Sequence, residues 1–203
     1  KTKLFRKNFK IKSMSGIEWI AVIATILSVF LLAEGKSSGW IFGIIGCLLY
    51  GIVFYQQKLY ANLIIQIIFI VQGFYGISKW NQEAPNETKF NSKSLEPSYI
   101  FMITMILISV SALISCLVYS FTEDITTILD ITLSIFSIGA FTLMTKRIIQ
   151  AWFYWFAIDI GYTILFVSLD MLLSAILYSI LLVLCINGYI QWKNKILETK
   201  NYE

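Results

Sequence analysis

Histidine is absent from the 203-residue chain, and only 14% of the residues are charged. Without histidine the chain lacks the commonest metal ligand, the usual general base near neutral pH and any Ser-His-Asp or Cys-His arrangement. The three cysteines, Cys47, Cys116 and Cys185, lie far apart in apolar segments, without the spacing of a zinc or redox motif. A phosphate-cradling loop with its lysine is also missing. We therefore expect no enzyme, no bound metal and no cofactor.

Charge is scarce because apolar residues make up 58% of the chain, more than one soluble core of this size can bury. Seven stretches are apolar enough to cross a membrane as helices, which takes about 20 residues. They are residues 17–33, 39–56, 59–80, 99–121, 126–144, 149–168 and 171–192. The sequence thus predicts an all-α, multi-pass integral membrane protein in a lipid bilayer.

Six basic residues lie among the first twelve, and both prolines lie in one polar stretch, residues 81–98. The basic start resembles a signal peptide, but the apolar run after it is long enough to span the membrane and has no small-residue cleavage site. We interpret residues 1–15 as a juxtamembrane flank, and we expect no nucleic-acid binding because no folded basic surface accompanies them. Orientation stays open, since lysine and arginine are distributed almost evenly between the two sides.

The chain contains an internal repeat, in which residues 16–80 match residues 128–192 without a gap. The matched pairs are Glu18 with Asp130, Trp40 with Trp152, Tyr50 with Tyr162, Gly76 with Gly188 and Trp80 with Trp192. Because three helices reverse the chain across the membrane, one additional crossing makes the two units parallel, as in transporters built from repeats. We predict a 3+1+3 architecture of seven transmembrane helices. Its parts are a first repeat at 16–80, a linker at 81–98, a central connecting helix at 99–121, a second repeat at 122–192 and a polar tail at 193–203.

An acidic residue lies in the middle of the sixth span, in the stretch WFYWFAID that ends at Asp159. In a helix, the spacing i, i+3, i+7 and i+10 places Trp152, Trp155, Asp159 and Tyr162 on one face. The residues on other faces can contact lipid: Phe153, Phe156, Ile160 and Ile164. A carboxylate at the bilayer centre costs at least ~2.5 kcal/mol, so we expect Asp159 to face the bundle interior. Lysine and arginine lie only at the edges of the apolar stretches, so a proton or a cationic ligand is its expected partner.

Aromatic rings beside a buried anion suit a flat, positively charged ligand. Other side chains of the spans are further candidates to bind it: Trp40, Tyr50, Asn62, Gln66, Tyr178 and Asn187. Two alternatives stay open at this point. Tryptophan at a span edge is typically an interfacial anchor, which applies to Trp40, Trp80 and Trp192, and amides can hold helices together. The acids at span edges, Glu18 and Asp130 among them, are interpreted as solvated.

Three motifs, LYA at 59–61, YGxxxW at 75–80 and AWFYWFAID at 151–159, resemble the PnuC family of nicotinamide riboside transporters, relatives of the SWEET sugar transporters. The last motif is similar to the family's WxxWxxxD pattern, and the resemblance covers residues 16–192. It implies uptake of nicotinamide riboside through the bacterial inner membrane by facilitated diffusion with alternating access. A cytosolic riboside kinase would make this flux one-way. The chain departs from the family pattern at Ile41 and Gln150, where proline and an acid are expected.

On this resemblance, Trp152 and Trp155 would stack on the pyridinium ring or gate the cavity, and Asp159 would orient the ligand. The amides of Asn62, Gln66 and Asn187 would bind the ribose hydroxyls or the carboxamide. Thiamine, another flat cation, is the alternative substrate. A receptor or scaffold subunit without transport is the alternative class of protein, and homo-oligomerisation is left open.

Overall fold

The computed structural model describes residues 16–56, 60–83, 92–122, 125–168 and 172–200, which form seven helices. These are α1 (Gly16–Ala33), α2 (Ser38–Gln56), α3 (Tyr60–Glu83), α4 (Pro97–Thr122), α5 (Ile125–Thr145), α6 (Ala151–Ser168) and α7 (Leu172–Lys200). All seven are long and apolar enough to cross a membrane, which confirms the predicted all-α membrane fold. α7 continues through Lys200, so most of the predicted polar tail is helical. The basic flank and residues 84–91 of the linker lie outside the described residues.

Six of the seven helices form a closed ring. Contacts run from α1 to α2, α3, α5, α6 and α7 in that order, and α7 returns to α1. α4 packs mainly against α5, and its Thr104 hydroxyl and Ile100 carbonyl lie within hydrogen-bonding distance of the Tyr154 hydroxyl on α6. Most of the apolar side chains of α4 are exposed, as expected of a face toward lipid. Exchanging α1–α3 with α5–α7 converts the α1–α7 contact into the α5–α3 contact. The ring therefore has the contact pattern that two parallel three-helix units would give.

The loops after α1 and α5 have the same backbone hydrogen bonds at matched positions of the repeat. Each helix ends in a Schellman motif, which places one residue in the left-handed region. The bonds are Gly35 N to Leu32 O (3.0 Å) and Lys36 N to Leu31 O (2.9 Å), and Arg147 N to Met144 O and Ile148 N to Leu143 O (both 3.0 Å). The left-handed residues are Gly35, with φ 77°, and Arg147, with φ 56°. Glycine adopts this conformation without strain, whereas arginine needs other contacts to hold it there.

Candidate functional site

Helix α6 turns its aromatic and acidic stripe toward the inside of the ring, as predicted. Trp152 and Asp159 are almost fully buried, with 1% and 2% of their surface exposed, and Trp155 and Tyr162 are half-buried. The four residues predicted to contact lipid are all exposed: Phe153, Phe156, Ile160 and Ile164. The helical spacing therefore correctly separated the interior face of α6 from its outer face.

Asp159 lies inside the ring with one weak hydrogen-bond donor beside it. Its Oδ2 accepts a hydrogen bond from Sγ of Cys185 on α7, at 3.3 Å. Among the described residues, no lysine or arginine forms an ion pair with this carboxylate. Because a thiol is a weak donor, it offsets little of the cost of burying an ionised carboxylate. The carboxylate is consequently able to take up a cation or a proton.

Four tryptophans pack together where α2 and α6 begin; we call Trp40, Trp80, Trp152 and Trp192 the tryptophan layer. The Trp40 and Trp80 ring centroids are 5.4 Å apart at an interplanar angle of 87°, and those of Trp152 and Trp192 are 5.4 Å apart at 85°. Trp80 and Trp192 join the two pairs at 6.0 Å. None of the four is more than 1% exposed, so the interpretation of three of them as interfacial anchors is wrong. They are interior packing elements with edge-to-face contacts.

Glycines make room for two rings of this layer. A Cβ atom at Gly76 would lie 2.6 Å from the Trp40 ring, and a Cβ atom at Gly188 would lie 2.5 Å from the Trp152 ring. Both distances are far shorter than a van der Waals contact, so only glycine fits these positions without displacing a ring. The matched glycines of the sequence repeat therefore have matched packing roles.

The indole N–H groups of the layer divide into two pairs. Trp80 Nε1 donates to the carbonyl of Thr145 at 3.0 Å, and Trp192 Nε1 donates to the carbonyl of Leu32 at 3.1 Å, each at the end of a helix in the other half of the ring. The Nε1 atoms of Trp40 and Trp152 are buried and have no acceptor within the described part of the chain. Because most buried polar groups are paired, two such donors at matched positions are available for a ligand or a water molecule.

A second aromatic group lies further along α2, α6 and α7, away from the tryptophan layer. The rings of Tyr162 and Tyr178 are 4.8 Å apart. Tyr162 stacks on Phe166 at 5.7 Å, and Tyr50 stacks on Phe54 at 5.9 Å, which is again a matched pair of the repeat. Tyr162 and Tyr178 therefore belong to one region of the ring interior, separate from Trp40 and Trp152, and Tyr50 holds the position matched to Tyr162 in the first unit.

Asp130 on α5 belongs to this tyrosine region. It is half-buried and lies close to Tyr162, whose hydroxyl is 3.3 Å from the Ser134 hydroxyl. Its interpretation as a solvated acid at a span edge is wrong, because Asp130 lies more than one turn inside α5 (Ile125–Thr145) and is half-buried. One feature of the sequence could have indicated this position. Asp130 matches Glu18 in the repeat, so both units have an acid at the same point.

The three predicted amides are not brought together. Gln66 on α3 faces Gly51 of α2, where an added Cβ would lie 4.0 Å from its own Cβ, and Asn62 lies one turn away on the same helix. Asn187 follows Cys185 by two residues on α7, so it points about 200° away from the thiol that bonds Asp159. All three are half-buried, and none donates or accepts a side-chain hydrogen bond within the described residues.

Phe141 on α5 connects several of the aromatic residues, and sequence reasoning missed it. Its ring lies 5.4 Å from Trp40, 5.8 Å from Trp155 and 5.0 Å from Phe69. One residue further on, Thr142 accepts a hydrogen bond from Gln72 Nε2 at 2.9 Å, which ties α3 to α5. A phenylalanine in an apolar span carries no pattern that distinguishes such a contact from a lipid-facing position.

A ring of membrane-spanning helices around aromatic rings and a buried carboxylate defines a multi-pass membrane protein with a polar site in its interior. The family model described as "Nicotinamide mononucleotide transporter" matches residues 15–194, and the chain belongs to that family. This confirms the resemblance seen in the motifs, and it confirms that the chain is a membrane transporter and not an enzyme.

Named relatives and a solved structure agree with this membership. The nicotinamide riboside transporter PnuC of Escherichia coli is 26% identical over 206 residues, covering 89% of this chain and 86% of the relative. PnuC of Neisseria mucosa is 24% identical, covering 88% and 72%. The structure titled "Crystal structure of the Vitamin B3 transporter PnuC" has a TM-score of 0.71 at 22% identity, covering 90% of this chain and 82% of that chain. The last comparison shows that the fold is shared.

Proposed function

We propose that this protein carries nicotinamide riboside across the bacterial inner membrane by facilitated diffusion. The observation that carries the proposal is the buried carboxylate of Asp159, which accepts a hydrogen bond from a thiol. It forms no ion pair with a lysine or arginine of the described residues. Nicotinamide riboside supplies the missing positive charge on a flat pyridinium ring. The relatives named above are nicotinamide riboside transporters, which supports the same substrate for this chain.

In this proposal the α6 stripe binds the pyridinium end of the substrate. Trp152 and Trp155 offer ring faces that attract a cation, and Asp159, about 10 Å along the helix from Trp152 at 1.5 Å per residue, supplies the counter-charge. The indole N–H groups of Trp40 and Trp152 are donors for ribose hydroxyls or the carboxamide oxygen. Hydroxyl and amide groups of Tyr50, Asn62, Gln66, Tyr162, Tyr178 and Asn187 complete the proposed binding set.

Alternating access would come from rocking of α1–α3 against α5–α7, the two units that share the α1–α7 and α3–α5 contacts. We propose these units as parallel repeats related by an axis along the membrane normal. The tryptophan layer occupies one end of the ring interior, so its opening and closing would control access from that side. Phosphorylation of the riboside by a cytosolic kinase would make the flux one-way.

The test is counterflow of labelled nicotinamide riboside into liposomes that contain the purified protein. We expect saturable uptake that unlabelled nicotinamide riboside abolishes and that thiamine does not. Competition by thiamine alone would reassign the substrate within the flat cations. Failure of every labelled vitamin precursor to enter would contradict transport and favour a receptor or scaffold subunit.

A pair of carboxylate variants separates the role of Asp159 from a general effect of charge. Asp159→Asn should weaken binding of the riboside, while Asp130→Asn, the same substitution in the tyrosine region, should have a smaller effect. Calorimetry on both variants with the cationic riboside and with a neutral analogue measures the difference. Equal losses for the two ligands would mean that Asp159 contributes hydrogen bonds and little charge pairing.

A further inference from the structure

We propose that residues 92–96, which we call the brace, hold the α5–α6 loop and the start of α6 in place. The end of the ring interior that contains the tryptophan layer then opens by movement of the α1–α2 loop. Gln150 is the positioning residue that holds the brace. The role in opening rests on the proposed transport function, whereas the difference in rigidity between the two loops is independent of it. The brace is the part of the linker that the structure describes just before α4.

Backbone hydrogen bonds attach the brace to the α5–α6 loop. The N–H of Lys93 donates to the carbonyl of Arg147 at 2.9 Å, and the N–H of Ile149 donates to the carbonyl of Lys93, also at 2.9 Å. Lys93 and Ile148 form a parallel bridge through these bonds. A pair of this kind fixes the loop backbone on both sides of Ile148 without depending on any side chain.

The side chain of Gln150 binds the brace at three points. Its Oε1 accepts from the N–H of Leu95 at 3.2 Å, and its Nε2 donates to the carbonyl of Leu95 and to the Ser94 hydroxyl, both at 2.9 Å. Only an amide both accepts and donates in this way, and a carboxylate would face the Leu95 carbonyl without a proton to donate. The departure of Gln150 from the acid expected at this position thus has a structural reason in this chain.

Gln150 connects the brace to the aromatic stripe. Its backbone carbonyl accepts from the N–H of Phe153 at 3.0 Å, in the first turn of α6, and Trp152 is two residues away. At the other end of the brace, the Ser92 hydroxyl donates to the carbonyl of Trp192 at 3.0 Å. The brace therefore holds both helices whose tryptophans meet edge to face, Trp152 and Trp192.

Arg147 adds a link from the same loop to α3. Its guanidinium lies over the ring of Trp80, 5.4 Å from the centroid, and its Nη2 donates to the Trp80 carbonyl at 3.1 Å. Only 4% of the residue is exposed. A buried cation bonded to a carbonyl and stacked on a ring stabilises a loop more than an exposed one would. These contacts also hold the left-handed backbone at this residue.

The equivalent loop after α1 lacks these attachments within the described residues. At the matched positions of the repeat, Gly35 replaces Arg147, Ser37 replaces Ile149 and Ser38 replaces Gln150. The long side chain of Lys195 attaches the end of α7 to this loop, because its Nζ donates to the carbonyl of Glu34 at 2.5 Å. One flexible side chain restrains a loop less than a bridge of backbone hydrogen bonds does. The α1–α2 loop is therefore the more mobile of the two loops.

Hydrogen exchange measures the rigidity of the two loops without any substrate. We expect the amide of Ile149 to exchange at least ~10-fold more slowly than the matched amide of Ser37. Gln150→Met, which keeps the size but removes the amide, should accelerate exchange at Leu95 and Ile149, and Gln150→Glu should do the same. The matched change Ser38→Ala should leave both loops unchanged. Equal exchange at Ile149 and Ser37, or no effect of Gln150→Met, would overturn the brace.

Cross-linking then tests which loop moves. A disulfide between cysteines at positions 93 and 148 should leave counterflow within ~2-fold of the reduced protein, because that contact stays closed through the cycle. Cysteines at 34 and 195, joined by a short bifunctional thiol reagent, should reduce counterflow by at least ~10-fold. The single-cysteine variants control for reaction at Cys47, Cys116 and Cys185. Loss of counterflow with the first link, or full counterflow with the second, would overturn the assignment of the moving loop.

The two experiments keep the brace and the proposed function apart. If the unmodified protein carries no riboside in liposomes, the proposed function fails and the exchange rates still decide whether the brace is rigid. If counterflow is normal but Ile149 exchanges as fast as Ser37, the brace fails and the transport function stands.

Discussion

The helices α1–α3 and α5–α7 share their packing and differ in their chemistry. Both units pair two tryptophans edge to face, seat one ring on a glycine and end their first helix in a Schellman motif. The second unit alone carries a tryptophan and an acid at the middle of the stripe, Trp155 and Asp159, where the first has Gly43 and Cys47. A Cβ at Gly43 would lie 2.9 Å from the Ser28 hydroxyl, so the first unit uses this position for close helix packing.

Contacts required by the bundle therefore occur in both units, whereas the buried carboxylate of Asp159 occurs in the second unit alone. Packing contacts within each unit depend on the sizes of the side chains that meet. These sizes are repeated because both units pack three helices against each other in the same way. A small asymmetric cation needs a counter-charge on one side only. The chemical difference between the two units therefore lies in a few side chains on a scaffold whose two halves match.

The largest expected effect comes from removing that one-sided charge. Asp159→Asn keeps the shape of the side chain and its oxygen acceptor but removes the negative charge. We expect binding of a cationic riboside to weaken ~100-fold, about 2.7 kcal/mol, because every 1.4 kcal/mol corresponds to a tenfold change. Calorimetry of the purified protein measures this loss. Cys185→Ser, which keeps a donor to Asp159, serves as the local control and should change affinity less.

The glycine seats test whether the matched packing is equally important in both units. Gly76→Ala and Gly188→Ala should each lower the free energy of unfolding by about 1–2 kcal/mol, since overpacking costs about 1–3 kcal/mol and better helix propensity offsets part of it. Thermal unfolding in detergent compares them with Gly16→Ala, where nothing lies within 4 Å of the added atom. If only the Gly188 variant also loses ligand affinity, Trp152 contacts the ligand and Trp40 does not.

The left-handed position after α5 separates backbone strain from side-chain contacts. Arg147→Ala and Arg147→Gly both remove the guanidinium from the Trp80 ring, but only glycine adopts φ 56° without strain. We expect the glycine variant to be more stable than the alanine variant by about 1 kcal/mol. At the matched position, Gly35→Ala should destabilise by a similar amount. Equal melting temperatures for the two Arg147 variants would contradict the strain.

The smallest expected difference concerns the two matched tyrosines. Tyr162→Phe removes a hydroxyl that lies 3.3 Å from Ser134, and it should cost about 0.5–1.5 kcal/mol of stability. Tyr50→Phe removes a hydroxyl without a hydrogen bond to the described residues and should stay within about 0.5 kcal/mol of the unmodified protein. Thermal unfolding in the absence of ligand measures both changes. A larger loss for Tyr50→Phe would show that the tyrosine region depends more on the first unit.

The sequence predicted the seven helices and the inward stripe of α6 because both depend on local patterns. A membrane span is long and apolar, and helical spacing alone decides which side chains share a face. The sequence did not predict the burial of Asp130 and of the tryptophans in the layer. A position near the edge of a span does not show whether a neighbouring helix packs over that side chain. The sequence also could not place Asn187 relative to Asp159, because that depends on how α7 is rotated against α6.

By itself the sequence determined the membrane class, the number of spans, the matched positions of the internal repeat and the acid within an aromatic stripe. Each of these follows from composition, length or periodicity along one chain. Only the tertiary structure decided that four tryptophans meet in one layer, that Cys185 donates a hydrogen bond to Asp159, and that Gln150 holds the brace. Those contacts join residues from different parts of the chain, and no local pattern specifies which surfaces of distant helices meet.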